Sequence, residues 1–68
     1  MKRLYCHNLT ILQRYKNGLC EEYSVSVFDK LDYLSDRQAA NRYNKISDYP
    51  VDFKDIVRKE VCCINRAN

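Results

Sequence analysis

The chain has 68 residues, of which 46% are hydrophobic and 31% charged, and its formal net charge is +3 at pH 7. This balance is typical of a globular protein, and it excludes a disordered tail, a collagen-like chain and a membrane protein. Because stable domains begin near ~50 residues, residues 1–68 are predicted to form a single small domain.

The N-terminal segment begins with basic residues but lacks the pattern of a secretory signal. Polar side chains interrupt every apolar stretch between Leu4 and Tyr15, whereas a signal needs roughly 7 to 15 uninterrupted apolar residues. We therefore expect a cytoplasmic protein that does not associate with membranes. Its cysteines would remain reduced in that compartment.

The clearest local signal is Lys16-Asn17-Gly18, which lies between two runs rich in apolar and β-branched residues, 4–15 and 19–28. It predicts an antiparallel β-hairpin with a three-residue loop, in which Gly18 adopts the left-handed conformation. A two-residue turn at Asn17-Gly18 would instead mix apolar and polar side chains on both faces. The three-residue loop gives one apolar face, with these cross-strand pairs: Ile11 with Tyr23, Leu9 with Val25, and His7 with Val27.

Ser35 and Gln38 predict the start of a helix, because they fit the N-cap and N3 positions of a capping box. The helix is expected to end at about Ile46. Helical spacing predicts an inward-facing stripe of Gln38, Ala39, Arg42, Tyr43 and Ile46. If the turn before the cap is also helical, the same spacing places on the outer side Tyr33, Arg37, Ala40, Asn41 and Asn44.

The segment 50–64 fits either a helix or a strand. Pro50 suits the first turn of a helix, and Phe53, Ile56, Val57, Val61 and Ile64 recur at helical spacing. The alternating positions of Val51, Phe53, Val57, Val61 and Cys63, with β-favourable residues at 61–64, also allow a strand. We favour a helix for residues 50–60 and keep the strand as the alternative. The predicted fold class is α+β, with an N-terminal antiparallel hairpin packed on one face by one or two helices.

The four cysteines do not have the spacing of a zinc site. Zinc ligands usually come in pairs two to four residues apart, whereas Cys6 and Cys20 are isolated and Cys62 and Cys63 are adjacent. In the predicted register Cys20 lies opposite Arg14, about 26 Å along the strand from Cys6. Cys6 and Cys20 can therefore share neither a metal nor a disulfide. We expect reduced thiols and no metal or cofactor, and a redox or intermolecular role for Cys62 and Cys63 stays open.

No group of side chains predicts catalysis. His7 and Cys6 are neighbours in a strand, so their side chains point to opposite faces and cannot act as base and nucleophile. The same holds for Glu21 and Glu22, and one glycine cannot form a phosphate-binding loop. We therefore expect a protein that is not an enzyme.

Six tyrosines point to protein binding, because tyrosine combines a large rigid ring with a hydrogen-bonding tip. The predicted partner-binding residues lie on the outer helix face: Tyr33, Arg37, Asn41 and Asn44. A second route is the edge of the strand that contains Ser24-Val25-Ser26-Val27, which could pair with a partner or with a second copy unless a C-terminal strand covers it. The leading hypothesis is a small adaptor, regulator or inhibitor of another protein, and a phage or mobile-element (viral) origin fits its size.

The alternative hypothesis is a nucleic-acid-binding module. The residues expected to contact phosphates are Lys2, Arg3, Arg37, Arg42 and Lys45. Five acidic residues within 21–36 separate the two basic blocks in sequence, which argues against one continuous basic face. The charge pattern therefore favours a protein partner over nucleic acid.

Overall fold

The computed structural model describes residues 3–64. Its elements are the strands β1 (Tyr5–Arg14) and β2 (Cys20–Asp29), the helix α1 (Asp36–Ile46), a short 3-10 helix (Phe53–Asp55) and the strand β3 (Ile56–Cys63). The strands form one antiparallel sheet in the order β2-β1-β3, which confirms the predicted α+β class. Within the described range, no helix has the length and apolar composition needed to cross a membrane.

The hairpin has the predicted loop and register. Tyr15 N donates to Leu19 O at 2.9 Å, and Gly18 N donates to Tyr15 O at 3.0 Å. Gly18 has a φ of 89°, the left-handed conformation that glycine adopts without steric cost. The three predicted apolar pairs are confirmed: Ile11 lies opposite Tyr23, Leu9 opposite Val25, and His7 opposite Val27.

Helix α1 begins and ends as predicted, but it is rotated. Ser35 is the N-cap, and it forms the capping box with Gln38. Ala39 and Ala40 are both buried, whereas Gln38 is exposed and Ile46 is 73% exposed. The predicted outward position of Ala40 and the predicted inward positions of Gln38 and Ile46 are therefore wrong. Two adjacent small residues allow the helix backbone to approach the sheet closely, and that contact outweighs the larger side chain at the helix end.

Residues 56–63 form a strand, so the favoured helix for residues 50–60 is wrong and the strand alternative is correct for that part of the segment. Only Phe53–Asp55 is helical, and β-branched residues follow at once in β3. The strand pairs with β1, whose backbone groups on that side need partners. A register shift between Thr10 and Ile11 brings Ile56 opposite Ile11. Because β3 pairs with β1, it does not cover the outer edge of β2.

The core lies between α1 and one face of the sheet. Its buried residues are Leu9, Ile11, Val27, Leu34, Ala39, Ala40 and Ile56. Fully burying a large apolar side chain contributes about 1.5 to 3 kcal/mol. The other face of the sheet, here called the open face, carries the alternate side chains: Cys6, Asn8, Thr10, Ser24, Ser26, Phe28, Arg58, Glu60 and Cys62. On the central strand these side chains are half-buried, whereas Phe28 is 58% exposed.

Candidate interaction surfaces

The outer edge of β2 is an open strand edge among the described residues. β2 is ten residues long and lies at one side of the sheet, with β1 as its neighbour. Its central stretch, 23–28, is Tyr-Ser-Val-Ser-Val-Phe, which has no charge, no proline and no glycine. Proteins normally block the pairing of edge strands with charges, prolines or bulges, and an edge without them readily pairs with another strand. The sheet therefore leaves uncovered the strand edge that the sequence predicted could pair with a partner.

The direction of the backbone groups in β2 follows from the hairpin hydrogen bonds. Tyr15 N bonds to Leu19 O, and the pairing continues from there without a bulge to Tyr5 and Asp29. In an antiparallel pair, hydrogen-bonded and non-hydrogen-bonded residues alternate. The N–H and C=O groups that point away from β1 are therefore those of Cys20, Glu22, Ser24, Ser26 and Phe28.

The outer edge of β3 differs in charge. Its centre is Arg58-Lys59-Glu60, and the register shift lies near its first residues. Lys59 Nζ donates to Leu34 O at 2.8 Å and lies 3.0 Å from Asp36 Oδ1. Charges and irregular pairing both disfavour the addition of a further strand, so β2 is the better candidate edge.

Three of the four residues predicted on the outer helix face are exposed, but Tyr33 precedes the N-cap Ser35, so its predicted place on the helix is wrong. Tyr33 is 67% exposed, and Lys59 Nζ lies 4.9 Å from the centre of its ring. The guanidinium of Arg37 lies 4.6 Å from the centre of the Phe53 ring, and Asn41 is exposed. Tyr33 and Arg37 therefore already contact neighbouring side chains through cation–π geometry.

The fourth residue, Asn44, contacts the backbone of the following segment. Its Nδ2 donates to Val51 O at 3.0 Å, and its Oδ1 accepts from Val51 N at 2.8 Å. Asn44 is half-buried, and both ends of its amide hold the chain between α1 and the 3-10 helix. The structure thus gives Asn44 a role in the fold, which sequence spacing did not indicate.

Two polar contacts hold the end of β2 against the rest of the molecule. His7 is 5% exposed, and its Nε2 lies 2.8 Å from Leu31 O, so this nitrogen carries a proton and donates. Asp29 accepts from Leu31 N at 2.9 Å and from Arg42 Nε at 2.8 Å. The hydrogen bond from the Leu31 backbone lowers the pKa of Asp29 the most, and the hydrogen bond from Arg42 lowers it further. His7 is therefore bonded as part of the fold, as its place on the apolar face suggested.

The basic residues proposed for nucleic-acid binding are not equivalent in the structure. Lys2 lies outside the described residues. Arg42 forms the ion pair with Asp29, and Arg37 lies over Phe53. Lys45 is exposed in the last turn of α1. Because Arg42 is neutralised locally, the helix offers phosphates a weaker positive field than its sequence suggests.

A metal-binding cluster or an enclosed cleft would indicate a chemical centre. Residues 3–64 contain no group of three or more His, Cys, Asp or Glu side chains arranged to hold a metal ion. An open cleft with a volume of about 290 Å³ lies between the hairpin and residues 50–55. Ligand pockets usually begin near 300 Å³ and enclose most of the ligand, whereas this cleft is open to solvent.

Comparison with protein-family models, with curated proteins and with solved structures finds no match for this chain.

The pairing of β3 with β1 makes neighbours of two cysteines whose proximity the sequence did not predict. Cys6 lies directly opposite Cys62, while Cys63 lies opposite Tyr5. Cys20 is at the far end of the hairpin, opposite Arg14, as predicted. The only sequence signal for the Cys6–Cys62 pairing was the alternating pattern of the last segment, which does not specify a partner strand.

Proposed function

We propose that this chain is a small, non-enzymatic protein-binding module whose β2 edge accepts an extended strand of a partner protein. In that role it would act as an adaptor, regulator or inhibitor in the cytoplasm. The observation that supports the proposal is the uncharged central stretch of β2, residues 23–28, on an open edge whose backbone groups point outward at alternate residues. Strand addition of this kind is a common mode of peptide recognition.

The backbone would supply most of the attraction. Outward N–H and C=O groups at Glu22, Ser24 and Ser26 would continue the antiparallel or parallel ladder into the partner strand. Backbone hydrogen bonds give affinity without strong sequence preference, and side chains beside them give specificity. The partner thus needs an extended segment more than a particular motif.

The side chains along β2 indicate the composition of a suitable segment. Glu21 and Glu22 lie at one end of the strand, and the exposed ring of Phe28 lies near the other. Opposite charges and apolar contacts across a strand pair each contribute roughly 0.2 to 1 kcal/mol. A segment with a basic residue beside the two glutamates and an apolar residue beside Phe28 would fit best.

The helix face is the less favoured route. Tyr33, Arg37 and Asn41 are exposed, but Asn44 is bonded to Val51. A partner on this face would contact a shorter row of side chains than the sequence suggested. We therefore assign the main contact to the strand edge.

Proline at position 26 tests the edge directly. Ser26→Pro removes an outward N–H that β1 does not use, and proline is tolerated at such positions. Ser26→Ala is the matched control, because both variants lose the bond from Ser26 Oγ to Asn8 Oδ1 at 2.8 Å but only proline removes the N–H. The measurement is capture of proteins from the native lysate by the two variants and the wild type, with circular dichroism as the folding check.

The proposal predicts a protein that the wild type and Ser26→Ala retain and that folded Ser26→Pro loses at least tenfold. Equal retention by Ser26→Pro would contradict it. If the double variant Tyr33→Ala/Arg37→Ala fails to retain the protein while Ser26→Pro retains it, the partner binds the helix face instead. Retention of nucleic acid that weakens steeply with salt would support the alternative hypothesis instead.

A further inference from the structure

Cys6 and Cys62 are cross-strand neighbours on the open face of the sheet. They lie directly opposite each other in the β1–β3 pair. Cys6 is half-buried and Cys62 is exposed, and neither is in a disulfide. The Cys6 Sγ donates to Asn8 Oδ1 at 3.5 Å, a weak bond that the bridge would replace. Adjacent strand positions point to opposite faces, so Cys63, next along the chain, is on the core-facing side.

The α-carbon separation of these two residues permits a bridge between them. Ile64 N donates to Leu4 O at 2.9 Å, so the Leu4–Ile64 pair is hydrogen-bonded, and the pair two residues along, Cys6–Cys62, is of the same kind. Such pairs have α-carbons about 5.5 Å apart, within the roughly 4.4 to 6.8 Å that disulfides span.

We propose that Cys6 and Cys62 are a site of reversible disulfide formation, with a low-molecular-weight disulfide such as oxidised glutathione as the oxidant. The proposal is independent of the β2 edge, since the two cysteines lie on the other strand pair.

The exchange takes place in two steps. The exposed Cys62 thiolate attacks the small disulfide, forms a mixed disulfide and releases one small thiolate. The Cys6 thiolate then attacks the Cys62 sulfur and releases the second small thiolate. The protein loses two electrons and two protons in total, and the small disulfide gains both to become two thiols.

The other cysteines do not compete well for Cys6 within one chain. Cys20 lies at the opposite end of the hairpin, and Cys63 faces the other side of the sheet. A Cys62–Cys63 bridge would join neighbouring residues and distort the strand. The Cys6–Cys62 bridge joins residues already paired and closes a long loop of chain, which is the arrangement that stabilises most.

The test is oxidation of the reduced full chain with oxidised glutathione, followed by alkylation of remaining thiols and peptide mapping by mass spectrometry. We expect a Cys6–Cys62 crosslinked peptide, a loss of two hydrogen atoms from the intact mass, and a melting temperature raised by roughly 10 °C or more. Dithiothreitol should reverse all three changes.

Cys20→Ser and Cys63→Ser serve as matched controls that keep the bridge and the rise in melting temperature, whereas Cys6→Ser and Cys62→Ser should lose both. Because mapping of the wild type needs no variant, a folding defect in one of them does not weaken the test. A Cys62–Cys63 bridge, crosslinked dimers through Cys20, or stable glutathione adducts without a bridge would each overturn the proposal.

Discussion

The two outer strands of the sheet meet solvent in different ways. The centre of β3 carries Arg58, Lys59 and Glu60, and Lys59 is bonded to the segment before α1. The centre of β2, residues 23–28, carries no charge. Charged edges resist further pairing and uncharged ones allow it. One small sheet thus protects one edge and leaves the other free, and the free edge is where we place the partner.

The largest expected effect on stability comes from comparing proline substitutions at two neighbouring positions of β2, Val27 and Ser26. Val27 is buried, and its N–H points toward β1. Val27→Pro should cost about 3 kcal/mol or more, because it leaves a buried carbonyl unpaired and removes core contacts. Ser26→Pro, at an outward position, should cost much less. Urea unfolding of both variants measures the difference, and equal losses would show that the assignment of outward and inward groups is wrong.

Substitution of Lys59 tests how strongly its contacts hold the charged edge of β3 to the rest of the molecule. Lys59→Met keeps the apolar stem but loses the contacts with Leu34 O and Asp36, and we expect a loss of about 1 to 2 kcal/mol. Lys54→Met is the control, since Lys54 is exposed on the 3-10 helix and should change stability by less than about 0.5 kcal/mol. Indistinguishable urea midpoints for the two variants would contradict the role given to Lys59.

The smallest effect concerns the end of β2, where Asp29 joins the strand to α1. Because folding lowers the pKa of Asp29, its contribution is present above its ordinary value near ~4 and is lost as the pH falls through the lowered value. Asp29→Asn should cost about 1 kcal/mol or less at pH 7, since Arg42 is partly exposed.

Urea unfolding of Asp29→Asn and wild type between pH 2 and pH 7 provides the check. The two curves should converge at the acid end, while Asp48→Asn, an exposed control, should follow the wild type throughout. A gap that is constant with pH would show that the carboxylate is not the cause.

Local signals in the sequence were sufficient for the hairpin and for the start of α1. The Lys16-Asn17-Gly18 loop set a register that the structure confirms, and Ser35 with Gln38 formed the predicted capping box. The hairpin register and the helix start both depend on residues close together in the chain, so local sequence patterns are sufficient to predict them.

Long-range pairing could not be predicted in the same way. The strand β3 forms because β1 offers it a partner more than 40 residues earlier in the chain, and periodicity at 50–64 fitted helix and strand alike. The rotation of α1 depends on close packing of Ala39 and Ala40 against the sheet. The Cys6–Cys62 pairing and the Asn44–Val51 bonds follow from these long-range choices.

Residue-resolved hydrogen exchange of the β2 amides tests the central claim most directly. In the free protein we predict fast exchange at Glu22, Ser24 and Ser26 and slow exchange at Val25 and Val27, because only the second group bonds to β1. With a captured partner bound, the three fast amides should become protected. Uniform protection of β2 in the free protein, or new protection confined to α1, would contradict the account.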